Sequence, residues 1–106
     1  MKIPDDAYIP LEKLTKYLLV FKEHDDKSLF LLQAGFDLSN VEILITALRQ
    51  LALENDATSD RENEYGVYYR VAGELIGVTR NLSVITIWLH DIKTNQYRFV
   101  TLKPLR

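Results

Sequence analysis

The densest apolar pattern in the chain is LSVITIWLHD, Leu82 to Asp91, in which Val84, Ile85, Thr86, Ile87 and Trp88 follow one another. Five successive β-branched or aromatic residues suit a pleated strand. Alternation puts Ser83, Ile85, Ile87 and Leu89 on one face and Val84, Thr86, Trp88 and His90 on the other. The first set is expected to meet the core. The second, with its hydroxyl, indole and imidazole, is expected to form a semi-polar open face. The run predicts the central strand of a sheet.

Upstream the period is helical. Leu11, Leu14, Leu18 and Phe21 make an apolar stripe after Pro10, and Glu12 precedes Lys16 by four residues, so a first helix is expected from about 10 to 21. A second, about 27 to 34, follows the charged break KEHDD, with Asp25 or Asp26 as its cap and Gly35 as its left-handed terminator. The third has the plainest start signal. Ser39-x-x-Glu42 suggests a capping box, after which Val41, Leu44, Ile45, Leu48, Leu51 and Ala52 repeat at helical spacing to about Asn55.

Asp56 to Glu64, DATSDRENE, is uniformly polar and predicts an exposed loop. Tyr65 to Leu75 alternates as a strand, Gly73 and Gly77 suggest a bulge and a bend, and Lys93-Thr94-Asn95 predicts a hairpin loop before a last strand, 96 to 102. The expected fold is α+β in a single domain spanning 1–106. Three helices pack on one face of an antiparallel meander of three strands, with a short fourth from residues 2–9 or 74–80. Leu44, Ile45 and Leu48 are expected to contact Ile85, Ile87 or Leu89.

A chain of 106 residues can bury one real core. It has no cysteine, which excludes disulfides and zinc–thiolate sites and fits a cytoplasmic setting. No apolar run reaches the roughly 18 residues of a membrane span, and the N-terminus does not resemble a signal peptide. The net charge of −2 is unevenly spread. Residues 1–60 hold 6 Lys/Arg against 11 Asp/Glu, and residues 61–106 hold 7 against 4. An anionic ligand is therefore expected to meet the C-terminal half.

Recognisable active-site motifs are missing. His24, Asp25 and Asp26 are adjacent and do not converge easily on one ion, so no metal site is expected. There is neither a phosphate-binding glycine loop nor a GxSxG serine, and no cofactor is expected. The open sheet face carries the remaining chemistry. Tyr68 and Arg70 lie near Thr86, Trp88 and His90, with Arg98, or alternatively Thr101 and Lys103, from the last strand. Cleaving RNA without a metal requires a base, a cation for the phosphorane and an acid. His, Arg, Lys and Tyr supply these, and Trp or Tyr can stack a base. On residue types alone, ordinary cross-strand packing explains the same residues.

Several segments together resemble an uncharacterised bacterial family. They are IPLEKLTKYLL (Ile9 to Leu19), Lys27, Gly35-Phe36, ALRQLALEN (Ala47 to Asn55), YGVYYRVAGEL (Tyr65 to Leu75), RNLSVITIW (Arg80 to Trp88) and FVTLKP (Phe99 to Pro104). The family is a domain of unknown function found alone and at the C-terminal tips of polymorphic-toxin or phage-derived proteins. Its layout resembles the superfold of barnase, EndoU nucleases, a colicin tRNase and RelE, mostly metal-independent ribonucleases. The resemblance implies Lys27, Tyr65, Arg80, Trp88 and Thr101 as matched polar positions. His90 lies outside the pattern, and EHDDKS lacks the glycine the family tends to place before the lysine.

The expected function is thus a metal-independent endoribonuclease of bacterial toxin type. Lys27 and Arg80 are its cations, Thr101 its positioning group, His90 or Tyr68 its proton carrier, and Trp88, Tyr68 and Arg70 its RNA contacts. The alternative is a non-catalytic interaction module, an immunity or antitoxin-like protein or an inactive toxin relic. Expected partners are RNA, a cognate antitoxin, immunity or toxin protein, or a second copy of the chain.

Overall fold

Pro10, extended at φ −64° and ψ 122°, opens the first helical segment in a computed structural model that describes residues 1–20 and 27–105. This segment, α1, is shorter than its stripe implies. Leu11–Lys13 is α-helical, and Leu14–Leu18 widens into a π turn closed by Leu19 N–H donating to Leu14 O at 2.9 Å. The Thr15 hydroxyl also donates back to Leu11 O at 3.1 Å, a bond that competes with regular helix. Leu14 and Leu18 are buried while Leu11 is exposed.

Helix α2, Lys27–Leu32, buries Leu31 and ends in a turn where Gly35 adopts φ +88°. That conformation suits a residue without a β-carbon. The expected caps Asp25 and Asp26, with Phe21 and His24, lie outside the described residues.

Helix α3, Val41–Glu54, buries Leu44, Leu48, Leu51 and Ala52 as its spacing predicts and Ala47 besides, while Val41 and Ile45 of the expected stripe are only half-buried. Its start differs from expectation. A 3-10 turn, Leu38–Asn40, precedes it, and the reciprocal cap belongs to Asp37 and Asn40. Asp37 accepts from Ser39 N–H at 2.8 Å, and Asn40 Oδ1 accepts from Asp37 N–H at 2.9 Å. Ser39 is therefore inside the cap and does not make one.

Four antiparallel strands follow in simple order: β1 Thr58–Asn63, β2 Gly66–Leu75, β3 Leu82–Asp91 and β4 Tyr97–Pro104. The architecture is α+β, with helices first and a meander after. Strand β3 pairs on both sides, with β2 and β4. The fourth strand comes from the polar run expected to be a loop. All of β1 is exposed, so its hydrogen bonding to β2 and not a buried face defines it. Residues 2–9 contribute only one bridge, Tyr8 beside Arg98 at the outer edge of β4.

The helices sit on the face opposite to the one expected. Val84, Thr86 and Trp88 on β3 turn inward, opposite Leu75-side neighbours Gly73, Val71 and Tyr69 on β2. Val84 and Trp88 join the core cluster with Leu44, Leu48 and Phe99. Trp88 is 1% exposed and meets Phe99 edge-on, with ring centroids 5.4 Å apart. Its indole N–H donates to Thr86 Oγ1 at 2.8 Å, and that hydroxyl donates to Val71 O at 2.9 Å. The polar groups that suggested an open face satisfy one another inside the protein. Ile85 and Leu89 are also buried, 7% and 2% exposed, but lie outside the main core cluster on the far face.

Candidate functional site

The register of the sheet arranges the far face in rows. Directly paired residues project to the same side. The first row is Arg61, Tyr68, Leu89 and Arg98, extended past the edge by Tyr8 through its bridge to Arg98. The second is Thr58, Arg70, Ile87 and Thr101. The third is Ala72, Ile85 and Lys103. Irregularities between Ser59 and Arg61 and between Ile87 and Trp88 keep these residues on one side despite an extra residue in each edge strand.

This face concentrates positive charge in a chain whose net charge is −2. Arg61 lies over the Tyr68 ring at 4.5 Å from its centroid, a cation–π contact. Arg98 pairs with Asp91 at 3.4 Å. Arg70 and Lys103 are exposed, and neither has an ion pair among the described residues. Glu74, at the far end, accepts from the Ser83 hydroxyl at 2.7 Å. On β3, between the β2 and β4 residues of these rows, runs the aliphatic strip of Ile85, Ile87 and Leu89.

At the edge of this face Lys27 meets Thr101. Lys27 starts α2, on the helical side, and Thr101 stands on the edge strand in the second row. Its ammonium donates to Thr101 Oγ1 at 2.9 Å in a partly buried setting. A hydroxyl fixes the ammonium but does not neutralise it. The bond therefore places the Lys27 amino group beside the cationic rows.

The other expected site residues fall elsewhere. Arg80 is exposed in the connection between β2 and β3, at the opposite end of α2 from Lys27. A β-carbon at Gly77 would collide with both the Arg80 carbonyl and Ala34, so this connection lies against the end of the α2 turn. The 6 residues of α2, about 9 Å of helix, lie between the two ends. Trp88 is in the core and cannot stack an external base. His90 also faces the helical side, flat on Tyr97 at 4.3 Å between centroids and 2.8 Å from Asn95 Oδ1 through Nε2. It supports the hairpin, where Asn95 takes φ 60°. Tyr97 itself contacts Tyr69, with centroids 5.9 Å apart, and burial, then Tyr69, pushes its phenol above the ordinary value of 10.0. Tyr68 and Arg70 do lie on the open face.

Arg61, Tyr8 and Glu12 belong to the same face or its rim and were not legible as site residues. Arg61 sits in the polar run that carries no alternation, and Tyr8 and Glu12 precede the sheet by some fifty residues. The rim groove around Tyr8, Tyr65, Tyr68 and Arg98 has a volume of about 460 Å³. A smaller cavity of about 210 Å³ lies on the helical side, between residues 3–7 and α3, with Arg49 and Trp88 in its wall. Arg49 bonds the carbonyls of Asp5 and Ala7 there, which ties the N-terminal segment to α3.

Compared with known proteins, residues 2–106 match one family model, described as a domain of unknown function, DUF6883. No curated protein and no solved structure matches the chain.

Proposed function

The chain belongs to the DUF6883 family, and we propose that its open sheet face binds single-stranded RNA, with Lys27 and Thr101 holding the phosphate at which a metal-independent endoribonuclease of bacterial toxin type cuts. The observation that carries this is the 2.9 Å bond between Lys27 and Thr101 at the margin of a face bearing Arg61, Arg70, Arg98 and Lys103. Cations ranked over an apolar strip, with an aromatic ring among them, fit a backbone-tracking surface for single strands.

The chemistry asked of the site is in-line transesterification. The 2′-oxygen attacks the adjacent phosphorus and gives up its proton. The bond from phosphorus to the 5′-oxygen breaks, and that oxygen takes a proton. The products are a 2′,3′-cyclic phosphate and a 5′-hydroxyl, with no net oxidation and no water consumed. Lys27, oriented by Thr101, faces the non-bridging oxygens, where negative charge grows. Tyr68 carries a phenol hydroxyl on this face and takes the proton-transfer role. His90 has no part, because it faces the helices.

The test is incubation of the purified protein with a labelled RNA in EDTA, followed by end analysis. Cyclic phosphate ends that vanish in Lys27→Ala and Thr101→Val, and in RNA with a 2′-deoxy nucleotide at the cut, support the reading. RNA bound but left intact removes the nuclease and keeps the binding face.

A second reading rests on a different surface. Ile43 on α3 and Ile76 beside β2 are 45% and 47% exposed and flank a shallow groove of about 530 Å³ with Gln50 and Glu42. This apolar strip favours a protein-interaction module of the immunity or antitoxin kind. Pull-down of a neighbouring gene product, lost in Ile43→Asp, is its test.

A further inference from the structure

We infer that the rim groove at the end of the first row is a guanine-reading slot, an assignment that rests on the RNA-binding reading of the open face. Its walls are Tyr8, Tyr65, Tyr68, Arg98, Glu12 and Lys13. Three features converge there: aromatic rings, a cation with free donors and a carboxylate.

The rings are displayed to solvent. Tyr8 and Tyr65 are 54% and 55% exposed, and Tyr68 is backed by the Arg61 guanidinium. A phenol ring gives any nucleobase a flat surface to stack on, since every base has a π-face. These rings stand on fixed backbone. Tyr8 N–H donates to Tyr97 O, and Tyr8 O accepts from Phe99 N–H, both at 2.8 Å. Tyr65 O accepts from Ile92 N–H at 2.9 Å. The stacking surface is thereby held at one end of the β2–β3–β4 meander, from the start of β2 to the outer edge of β4.

Stacking alone does not select a base. Glu12 does. An ionised carboxylate only accepts hydrogen bonds. Guanine presents two neighbouring donors on its Watson–Crick edge, N1–H and the N2 amino group, and fills both oxygens. Adenine and cytosine offer one amino donor beside a bare ring nitrogen, and uracil offers one N–H between two carbonyls. Each of those sets a lone pair against the carboxylate. Glu12 has no ion pair with any described residue, even though Lys16 stands four positions on. No described residue occupies its acceptors.

Arg98 completes the selection. Guanine carries acceptors at O6 and N7, the pair a guanidinium reads with two parallel bonds. Asp91 holds Arg98 through Nη1 at 3.4 Å, which steadies the group, and no other described residue pairs with it. Lys13, next to Glu12, holds its ammonium 5.7 Å from the Tyr17 ring centroid and adds positive charge at the rim for the adjoining phosphate. The base slot in the first row and the cations of the second and third rows then form one continuous track.

The experiment uses fluorescein-labelled octamers with 2′-O-methyl sugars, so that they bind without being cut. One is all uridine, and the others carry a single central guanine, adenine or cytosine. Binding is read by anisotropy at low salt. The guanine strand is expected to bind about tenfold tighter than the other three, within the range of one good bidentate contact. Glu12→Gln should cut that preference to below about threefold, chiefly by weakening the guanine strand. Arg70→Ala should weaken all four strands by a common factor. Equal binding of all four strands overturns the guanine slot and leaves the RNA-binding face standing. Guanine preference that survives in Glu12→Gln, with an unchanged melting temperature, also overturns it. Failure of every strand to bind overturns both readings.

Discussion

Lys27 and Thr101, 74 positions apart in sequence, meet at 2.9 Å across the edge of the sheet. The contact joins the first residue of α2 to β4, so it ties the helical half to the outer edge of the meander. A structural lysine and a functional one differ here in a measurable way. A hydrogen bond from a charged donor is worth about 1.5–3 kcal/mol, and less in a partly exposed place such as this. Thr101→Val should therefore lower stability by no more than about 2 kcal/mol in urea melts. The same substitution should abolish RNA cleavage. A large stability loss with normal cleavage would make the pair a structural clip.

Thr86 and Trp88 make a second testable pair. The indole N–H is buried and has the Thr86 hydroxyl as its acceptor, which in turn donates to Val71 O. Thr86→Val keeps the shape but removes the acceptor, and an unsatisfied buried donor costs about 1–3 kcal/mol. Urea unfolding checks the number. Tryptophan emission adds a second check. The wild-type spectrum should be blue-shifted and insensitive to iodide or added RNA, because Trp88 is the only tryptophan and is 1% exposed.

The same pair explains which parts of the fold could be read from the chain. Both faces of β3 are apolar enough to bury, so the placement of the helices turned on the polar atoms of Thr86 and Trp88. Those atoms pair with each other, an arrangement that periodicity does not reveal. Helix α3 was legible because five apolar residues recur on one side. Strand β1 was not, since TSDREN buries no face and owes its form to pairing with β2. Lys27 and Thr101 stood out through family resemblance and do meet. Arg80, singled out in the same way, lies at the other end of α2. His90 looked chemically able, but its strand position turns it toward Tyr97 and the hairpin.

Leu48 and Leu53 separate burial from mere membership of α3. Leu48 is fully buried in the core and Leu53 is 59% exposed. Leu48→Ala should cost about 2–5 kcal/mol, and Leu53→Ala should stay within about 0.5 kcal/mol. Equal losses would mean that α3 is rotated from the orientation described.

Asp37 sets the pH dependence of the α3 start. Its carboxylate accepts from the hydroxyl and then the backbone N–H of Ser39, and these bonds hold it below the ordinary value of 3.8. A depressed folded value means that the unfolded chain binds the proton more readily. The cap therefore contributes fully above the unfolded value, near 3.8, and fades as pH falls through the lower folded one. Asp37→Ala removes the acceptor at every pH. Its urea midpoint should lie below that of the wild type at pH 7, and the gap should shrink at pH 3 as the wild type loses its own cap. Asp37→Asn keeps an acceptor that does not titrate. That variant should lose less midpoint than the wild type between pH 7 and pH 3. Urea curves of the three proteins at both pH values decide the matter: a gap between wild type and Asp37→Ala that is as wide at pH 3 as at pH 7 would show that the charge on Asp37 does not support the helix start.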